Sequence, residues 1–169
     1  MKRYIKSNKV TATTYTLFHG SGSPDITEFD LGLSGSNTRS GEHFLFFTDS
    51  PEIAAEFSYE RIPTNSMFFD KRGKRCNVYK VEVSMNHPLD LTNLSNADIQ
   101  NLISLSNGEL TTEMIYKFSR GNNQLLKAYI DLDSITDFGY DGFIAKMNNN
   151  GDLEYAVPNA QQVKLKGII

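Results

Sequence analysis

The sequence predicts an α+β fold, because strand patterns stand on both sides of a block with helical periodicity. Val78 to Met85 alternates polar and apolar side chains, as a half-buried strand does. From Asn96 to Ile130 the apolar residues recur instead at helical spacing, which predicts two or three short helices. Strand patterns then return, with Asn150-Gly151 as a hairpin turn between two of them. Segregated strands and helices favour α+β over a doubly wound sheet.

The N-terminal part of the chain predicts two strands and a helix. Thr13 to Phe18 alternates and is rich in β-formers, so a strand is expected to end at His19-Gly20. A Gly- and Ser-rich loop from Gly20 to Gly41 follows, before an apolar strand from Phe44 to Thr48. Ser50 followed by Pro51 is typical of a helix start, and we predict a helix from Pro51 to about Tyr59.

Three further segments complete the prediction. Residues Arg61 to Cys76 have the composition of a polar loop, and the basic run within it is expected to be solvated. The last strands are predicted at Gly142 to Met147, Leu153 to Val157 and Gln162 to Leu165.

Length and composition predict one domain over residues 1–169, with a helical insert at about 94–135. The chain has 169 residues, of which 39% are hydrophobic and 22% charged, as in ordinary globular proteins. A net charge of −3 argues against a broad nucleic-acid-binding surface. The single cysteine, Cys76, excludes an internal disulfide. No apolar run suits a membrane span or a signal peptide, so we expect a cytoplasmic protein, in its own cell or in a host cell.

Three segments carry groups suited to chemistry. A His-Gly pair at a strand end, His19-Gly20, offers an imidazole and an approachable backbone. Aromatic side chains between Phe44 and Phe57 are able to stack on a planar ligand. Asp152 and Glu154 fall on one face of a predicted strand. Taken singly, each segment is also compatible with a purely structural role.

Together, and in this order, the three segments resemble the His-Tyr-Glu clade of ADP-ribosyltransferases, the group of diphtheria toxin and the poly(ADP-ribose) polymerases. The tail from Glu154 to Leu165 looks like the last strands of a polymerase catalytic domain, whereas Phe44 to Phe57 is closer to small phage and bacterial transferases. The resemblance covers residues 15–58 and 138–166, and the helical insert is outside it. It implies an ADP-ribosyltransferase-like split mixed β-sheet with that insert.

The resemblance also implies the roles of five residues. Glu154 takes the position of the catalytic acid, and His19 that of the histidine that binds the adenosine ribose of NAD. The main chain of Gly20 would hold the nicotinamide carboxamide. Phe46 and Phe57, eleven residues apart, would stack on the nicotinamide ring. Phe46 departs from the family pattern, which has Tyr there, and so lacks one hydroxyl.

Two further expectations concern the cofactor. Arg39 is a candidate for the NAD pyrophosphate, because a guanidinium suits bidentate phosphate contacts, although a surface cation is the alternative. NAD is expected as the co-substrate, and no metal is expected because the three histidines have no cysteine or acid at ligand spacing.

The predicted function is therefore NAD-dependent mono-ADP-ribosylation of a macromolecule. A protein is the expected target, nucleic acid is left open, and no membrane partner is expected. A phage or bacterial effector, or a toxin, acting on a host factor would suit such a chain. An NAD glycohydrolase and a catalytically inactive binding protein of the same fold are the alternatives.

Overall fold

The computed structural model describes residues 11–33, 43–62 and 71–169. Seven strands within these ranges form one mixed sheet, in the order β6-β7-β8-β2-β1-β5-β9. The strands of this sheet are β1 (Thr13–Gly20), β2 (Leu45–Thr48), β5 (Val78–Met85), β6 (Leu89–Asp90), β7 (Phe143–Lys146), β8 (Leu153–Val157) and β9 (Val163–Ile168). Neighbouring strands are antiparallel except β6 and β7, which are parallel. The predicted α+β class is confirmed.

The sheet is narrowly joined between β1 and β2. These strands are in register at Phe18 opposite Thr48, whereas β1 and β5 pair over all eight residues of β1. The backbone of the last two residues of β1, His19 and Gly20, therefore remains paired to β5 beyond the point where β1 pairs with β2. This junction positions the candidate site.

Two apolar cores lie on opposite faces of the sheet, because side chains alternate along each strand. The first core contains Phe143 and Ala156 and joins the sheet to the helices. The second core contains Leu17, Phe47 and Tyr155. The residues between 96 and 138 thus cover one face of β7, β8 and β2.

Three α-helices form the predicted helical insert: α2 (Asn96–Leu105), α3 (Thr112–Arg120) and α4 (Gln124–Lys127). The side chain of Ser95 caps α2 in a reciprocal pair with Asp98, and Thr111 caps α3. A 3₁₀ segment, Leu132–Phe138, returns the chain to the sheet. The prediction of two or three short helices is confirmed.

The first helix, α1 (Pro51–Glu56), begins as predicted, with the Ser50 hydroxyl accepting a hydrogen bond from the Ile53 amide. It is shorter than predicted, because Phe57 caps it and the chain enters β3 (Tyr59–Ile62). The predicted loop from Arg61 to Cys76 is also partly wrong, since β4 (Lys71–Arg75) pairs with β3 in a separate two-stranded sheet. Arg72 there binds Glu56 at 2.9 Å and lies over the Tyr59 ring.

The remaining strand predictions are confirmed, with one omission. Strands β7 and β8 flank the Asn150-Gly151 turn, where Gly151 has a φ of +94°. The last strand runs longer than predicted, to Ile168. Strand β6 was not predicted, because two residues are too few to show a period. None of the helices in the described ranges is long and apolar enough to span a bilayer.

Candidate active site

His19 bridges the junction between β1 and β2. Its Nδ1 lies 2.8 Å from the carbonyl oxygen of Phe46. A carbonyl only accepts hydrogen bonds, so Nδ1 carries the proton and Nε2 keeps its lone pair. The ring also packs edge-on against Phe29 and at a tilt against Phe47. The imidazole is thereby fixed in one orientation and one tautomer.

Burial keeps His19 uncharged at neutral pH. Loss of solvent lowers the pKa of His19 from its usual 6.5, and the hydrogen bond to Phe46 opposes this shift with a smaller effect. A neutral imidazole with Nδ1–H occupied presents Nε2 as a hydrogen-bond acceptor. Such a group is suited to receive a hydroxyl donor, including a ribose hydroxyl.

Gly20 allows α1 to approach the end of β1. A Cβ built at this position would lie 1.7 Å from the carbonyl oxygen of Ala54 and 3.1 Å from the amide of Ser58. Any side chain would therefore displace the helix. The structure thus gives Gly20 a packing role, and the clamp on a carboxamide implied by the resemblance stays a prediction.

Phe46 and Glu154 share one face of the sheet. Phe46 is opposite Ala156, and Thr48 is opposite Glu154, so all four side chains point to the side covered by the helices. Phe46 is half-buried and packs on the first core, with its ring 6.2 Å from that of Phe143. The aromatic ring and the acid that the sequence analysis singled out are therefore near neighbours in the fold.

Lys127, at the end of α4, contacts both of these residues. Its Nζ lies 2.5 Å from Oε1 of Glu154, and the two side chains are 15% and 14% exposed. The same ammonium lies 5.6 Å from the Phe46 ring centroid and 5.0 Å from that of Phe143. These are cation–π distances. The helical insert thus supplies a charged group to the centre of the candidate site.

Sequence reasoning missed Lys127. A lone lysine in a short amphipathic helix is typical of a solvated surface, and nothing in the spacing of α4 relates it to Glu154, 27 residues further on. Only the place of α4 over the sheet brings the two together. The sequence analysis assigned the helical insert no contact with the active site.

The other predicted site residues lie at the margin or outside the described residues. Phe57 caps the C-terminus of α1 and is 52% exposed. Arg39 lies outside the described residues, so its proposed contact with pyrophosphate stays a prediction. Asp152 accepts a hydrogen bond from the Asn148 side-chain amide at 2.7 Å, which stabilises the β7–β8 turn.

No metal-binding cluster of three or more His, Cys, Asp or Glu side chains occurs in the ranges that the structure describes. Cys76 is a free thiol whose Sγ lies 3.2 Å from the carbonyl oxygen of Gly22. That contact is consistent with a structural role for this residue.

The model of one protein family, described as "ADP-Ribosyltransferase in polyvalent proteins", matches residues 13–166. The chain belongs to this ADP-ribosyltransferase family. The match runs from β1 to β9 and includes the helical insert, which the sequence analysis had left without a relative. Transferases of this kind use NAD as their substrate. A search among curated proteins finds no match.

One solved structure has a similar fold at low sequence identity. The chain is similar to a protein described as "Crystal structure of an anti-CRISPR protein", with 15% identity and a TM-score of 0.50. The alignment covers 94% of this chain and 99% of the other. At this identity the likeness concerns the architecture alone. It is the family match that identifies the mixed sheet and its helices as an ADP-ribosyltransferase-like fold.

Proposed function

We propose that the protein is an NAD-dependent mono-ADP-ribosyltransferase of the His-Tyr-Glu type, with a protein as its target. The observation that carries the proposal is the shared face of Phe46 and Glu154, beside the junction that His19 bridges. This arrangement sets an aromatic surface and a carboxylate next to each other. Those are the two groups that cleavage of a nicotinamide–ribose bond requires.

The proposed reaction moves one ADP-ribosyl group. The bond between C1′ of the ribose and the nicotinamide nitrogen breaks, and nicotinamide leaves with the electron pair as a neutral molecule. Positive charge develops at C1′, as in glycoside cleavage. A nucleophile on the target bonds to C1′ and gives up its proton. A carboxylate at Glu154, close to the ribose, would stabilise the developing charge.

The chain's own residues supply binding and orientation. The neutral His19, with Nδ1 held by Phe46, would accept at Nε2 a hydrogen bond from a hydroxyl of the adenosine ribose. The ring of Phe46 would support one face of the nicotinamide. The exposed ring of Phe57 is available for its other face.

The absence of a hydroxyl at Phe46 reduces binding without removing the stacking surface. One hydrogen bond is worth about 0.5 to 1.5 kcal/mol. Because the aromatic ring, the acid and the histidine are all present, we favour an active enzyme over an inactive binding protein. Chain extension needs an acceptor site that the sequence does not suggest, so single transfer is proposed.

The target is proposed to be a host protein, met by a phage or bacterial effector that works in the cytoplasm. The structural neighbour's description as an anti-CRISPR protein is compatible with that setting. The basic strand β4 includes exposed side chains at Arg72, Lys74 and Arg75, close to the end of α1. Their charge favours an acidic surface on the target, and nucleic acid is the second class to test.

The test is incubation with NAD labelled in the adenylate, in the presence of bacterial lysate. Wild type should label a discrete macromolecule, and Glu154→Gln, which keeps the shape of the side chain, should abolish labelling. Glu113→Gln is the matched control, because it removes one exposed acid from α3. Circular dichroism should show that all three proteins are folded.

Each outcome separates the three hypotheses. A label that is sensitive to nuclease rather than protease would change the target class to nucleic acid. Release of nicotinamide without a labelled macromolecule would identify a glycohydrolase. If folded wild type neither labels a target nor releases nicotinamide, the enzyme proposal is wrong and an inactive binder remains.

A further inference from the structure

The contact between the helical insert and Glu154 has a geometry that surface ion pairs lack. Lys127 and Glu154 are each about 85% shielded from solvent, and their closest atoms are 2.5 Å apart. The Lys127 ammonium is further enclosed by the rings of Phe46 and Phe143. Because two aromatic faces and one carboxylate surround it, its position is defined on several sides.

The backbone that presents Lys127 is firmly anchored. The side chain of Asn123, which is fully buried, accepts a hydrogen bond from the amide of Lys146 at 2.8 Å and donates one to the carbonyl of Leu91 at 3.2 Å. The Gln124 side chain donates to the carbonyl of Lys146 at 2.6 Å. The backbone amide and the backbone carbonyl of Lys146 thus both attach α4 to the end of β7.

The anchor lies one strand away from Glu154. Ala145, the residue before Lys146, is opposite Glu154 in the β7–β8 pairing. The attachment of α4 therefore fixes the position of Lys127 over the residue pair of β7 and β8 that includes Glu154. Leu126, fully buried in the first core, holds the other side of α4.

A buried ion pair is an expensive way to stabilise a fold. Desolvation of two charges offsets most of their attraction, and apolar residues of similar size often do as well or better. A lysine directed at the one acid that the proposed reaction needs therefore calls for a role in that reaction. The role that fits is control of the carboxylate's orientation. Lys127 engages Oε1, whereas Oε2 has no hydrogen-bond partner among the described residues and is able to meet a ribose.

We propose that Lys127 is a positioning residue for Glu154, and that the helical insert is in this way part of the active site. Lys127 holds Oε1 and fixes the orientation of the carboxylate, so that Oε2 faces the ribose hydroxyls of NAD. The proposal rests on the proposed transferase function. It assigns the insert a task in the chemical step, whereas recognition of the target is a separate matter.

The test compares nicotinamide release from NAD by wild type and by Lys127→Met, with NAD affinity measured by calorimetry. Methionine keeps the length and apolar body of lysine but loses the charge. We expect kcat to fall about 100-fold, the cost of a misplaced catalytic group, while the Kd for NAD changes less than about threefold.

Two variants serve as controls. Lys127→Arg restores the charge and should recover a large part of kcat, which a packing defect would not allow. Lys117→Met removes an exposed cation from α3 in the same insert and should leave kcat and Kd unchanged. All assays are run below the unfolding temperature of the least stable variant. NMR of the Lys127 ammonium tests the contact with Glu154 directly. Its proton signal should be retained in wild type and lost by exchange in Glu154→Gln.

Specific results would overturn the inference. If Lys127→Met keeps the kcat of wild type, Lys127 does not position the acid. If the variant gains kcat and binds NAD more tightly, Lys127 blocks the site instead. If wild type releases no nicotinamide and labels no target, the transferase proposal itself fails, and the failure is then visible in wild type rather than in the variant.

Discussion

The ammonium of Lys127 lies 2.5 Å from the carboxylate of Glu154, and 5.0 Å from the centre of the Phe143 ring below it. One partner belongs to α4 and the other to β8, so the pair joins the helical insert to the sheet. It also brings a positively charged side chain of the insert into contact with Glu154, the residue to which the family resemblance assigns catalysis. The contribution of the pair to stability and its role in catalysis are separate quantities, measured by unfolding and by nicotinamide release.

Removal of one partner should destabilise the fold more than removal of both. Lys127→Met or Glu154→Gln alone leaves a charge in a site that is mostly closed to water, and each should lower the free energy of unfolding by about 3 kcal/mol. The double variant Lys127→Met/Glu154→Leu leaves no such charge and should recover most of that loss. Urea unfolding at neutral pH measures all three.

The matching control is the exposed ion pair of Arg72 with Glu56, whose side chains are each 64% exposed. Arg72→Met should cost less than about 1 kcal/mol, as exposed pairs do. Equal stability of wild type and Lys127→Met would show that the Lys127–Glu154 pair is solvated in solution.

Gly20 should tolerate no side chain, for reasons of packing. A Cβ there would come within 1.7 Å of the Ala54 carbonyl oxygen, which belongs to α1. Gly20→Ala should therefore push α1 from β1 and lower the free energy of unfolding by about 2 kcal/mol or more. Because His19 precedes it, nicotinamide release should fall as well.

Gly32→Ala is the matched control for this position. The nearest atom to a Cβ at Gly32 is Oδ1 of Asp30 at 3.3 Å, which also accepts a hydrogen bond from the Gly32 amide. Because this oxygen belongs to an exposed side chain and not to the backbone, a shift of a few tenths of an ångström is enough. This variant should unfold within about 0.5 kcal/mol of wild type. A Gly20→Ala protein as stable as Gly32→Ala would contradict the close approach of α1.

The elements that could be predicted from the sequence are those with a clear period or a specific end signal. Strand β5 shows eight alternating residues, and α1 begins with Ser50 and Pro51. Strands β3 and β4 were missed, because none of the side chains whose burial is described in this polar two-stranded ribbon is buried, and a hydrophobic period is therefore lacking. Two residues of β6 carry too little signal to be recognised at all.

The residues of the candidate site also fall into those that the sequence could predict and those that it could not. Phe46 and Glu154 could be paired in advance through the family resemblance, and the β2–β8 register places them on one face. Lys127 could not, because its contact depends on how α4 is attached through Asn123 and Gln124 to the end of β7. Such an attachment is a property of the tertiary structure, which a single sequence does not display.

Phe57 should matter for NAD and not for stability. Its ring is 52% exposed, so Phe57→Ser should change the free energy of unfolding by less than about 0.5 kcal/mol. If the ring stacks on nicotinamide, the variant loses a contact worth about 0.5 to 1.5 kcal/mol, and the Kd for NAD rises by about two- to twelvefold. Calorimetric titration with NAD measures this change.

Tyr116→Ser is the control for Phe57→Ser, since Tyr116 is 44% exposed and lies on α3. It should leave the Kd for NAD as in wild type. If both variants bind NAD like wild type, Phe57 has no part in the stack, and Phe46 is then the ring on which nicotinamide binding depends.

His19 should make the protein less stable in mild acid. Burial lowers the pKa of His19 in the folded state below the usual 6.5, at which it titrates in the unfolded chain. Below about pH 6.5 the unfolded state therefore binds more protons than the folded state, and the free energy of unfolding falls as the pH falls. Above about pH 7.5 both states are neutral at this residue and the contribution is constant.

His19→Gln does not titrate, and its amide is able to donate to the Phe46 carbonyl, so this variant should lose less stability than wild type between pH 7.5 and pH 5.5. Urea unfolding of both proteins at pH 7.5 and at pH 5.5 measures the two losses of stability. Both proteins contain His43 and His87, so the difference between the losses reports on His19. Equal losses in wild type and His19→Gln would mean that the imidazole is not held neutral against Phe46, and its proposed role as an acceptor for the ribose hydroxyl would lose its basis.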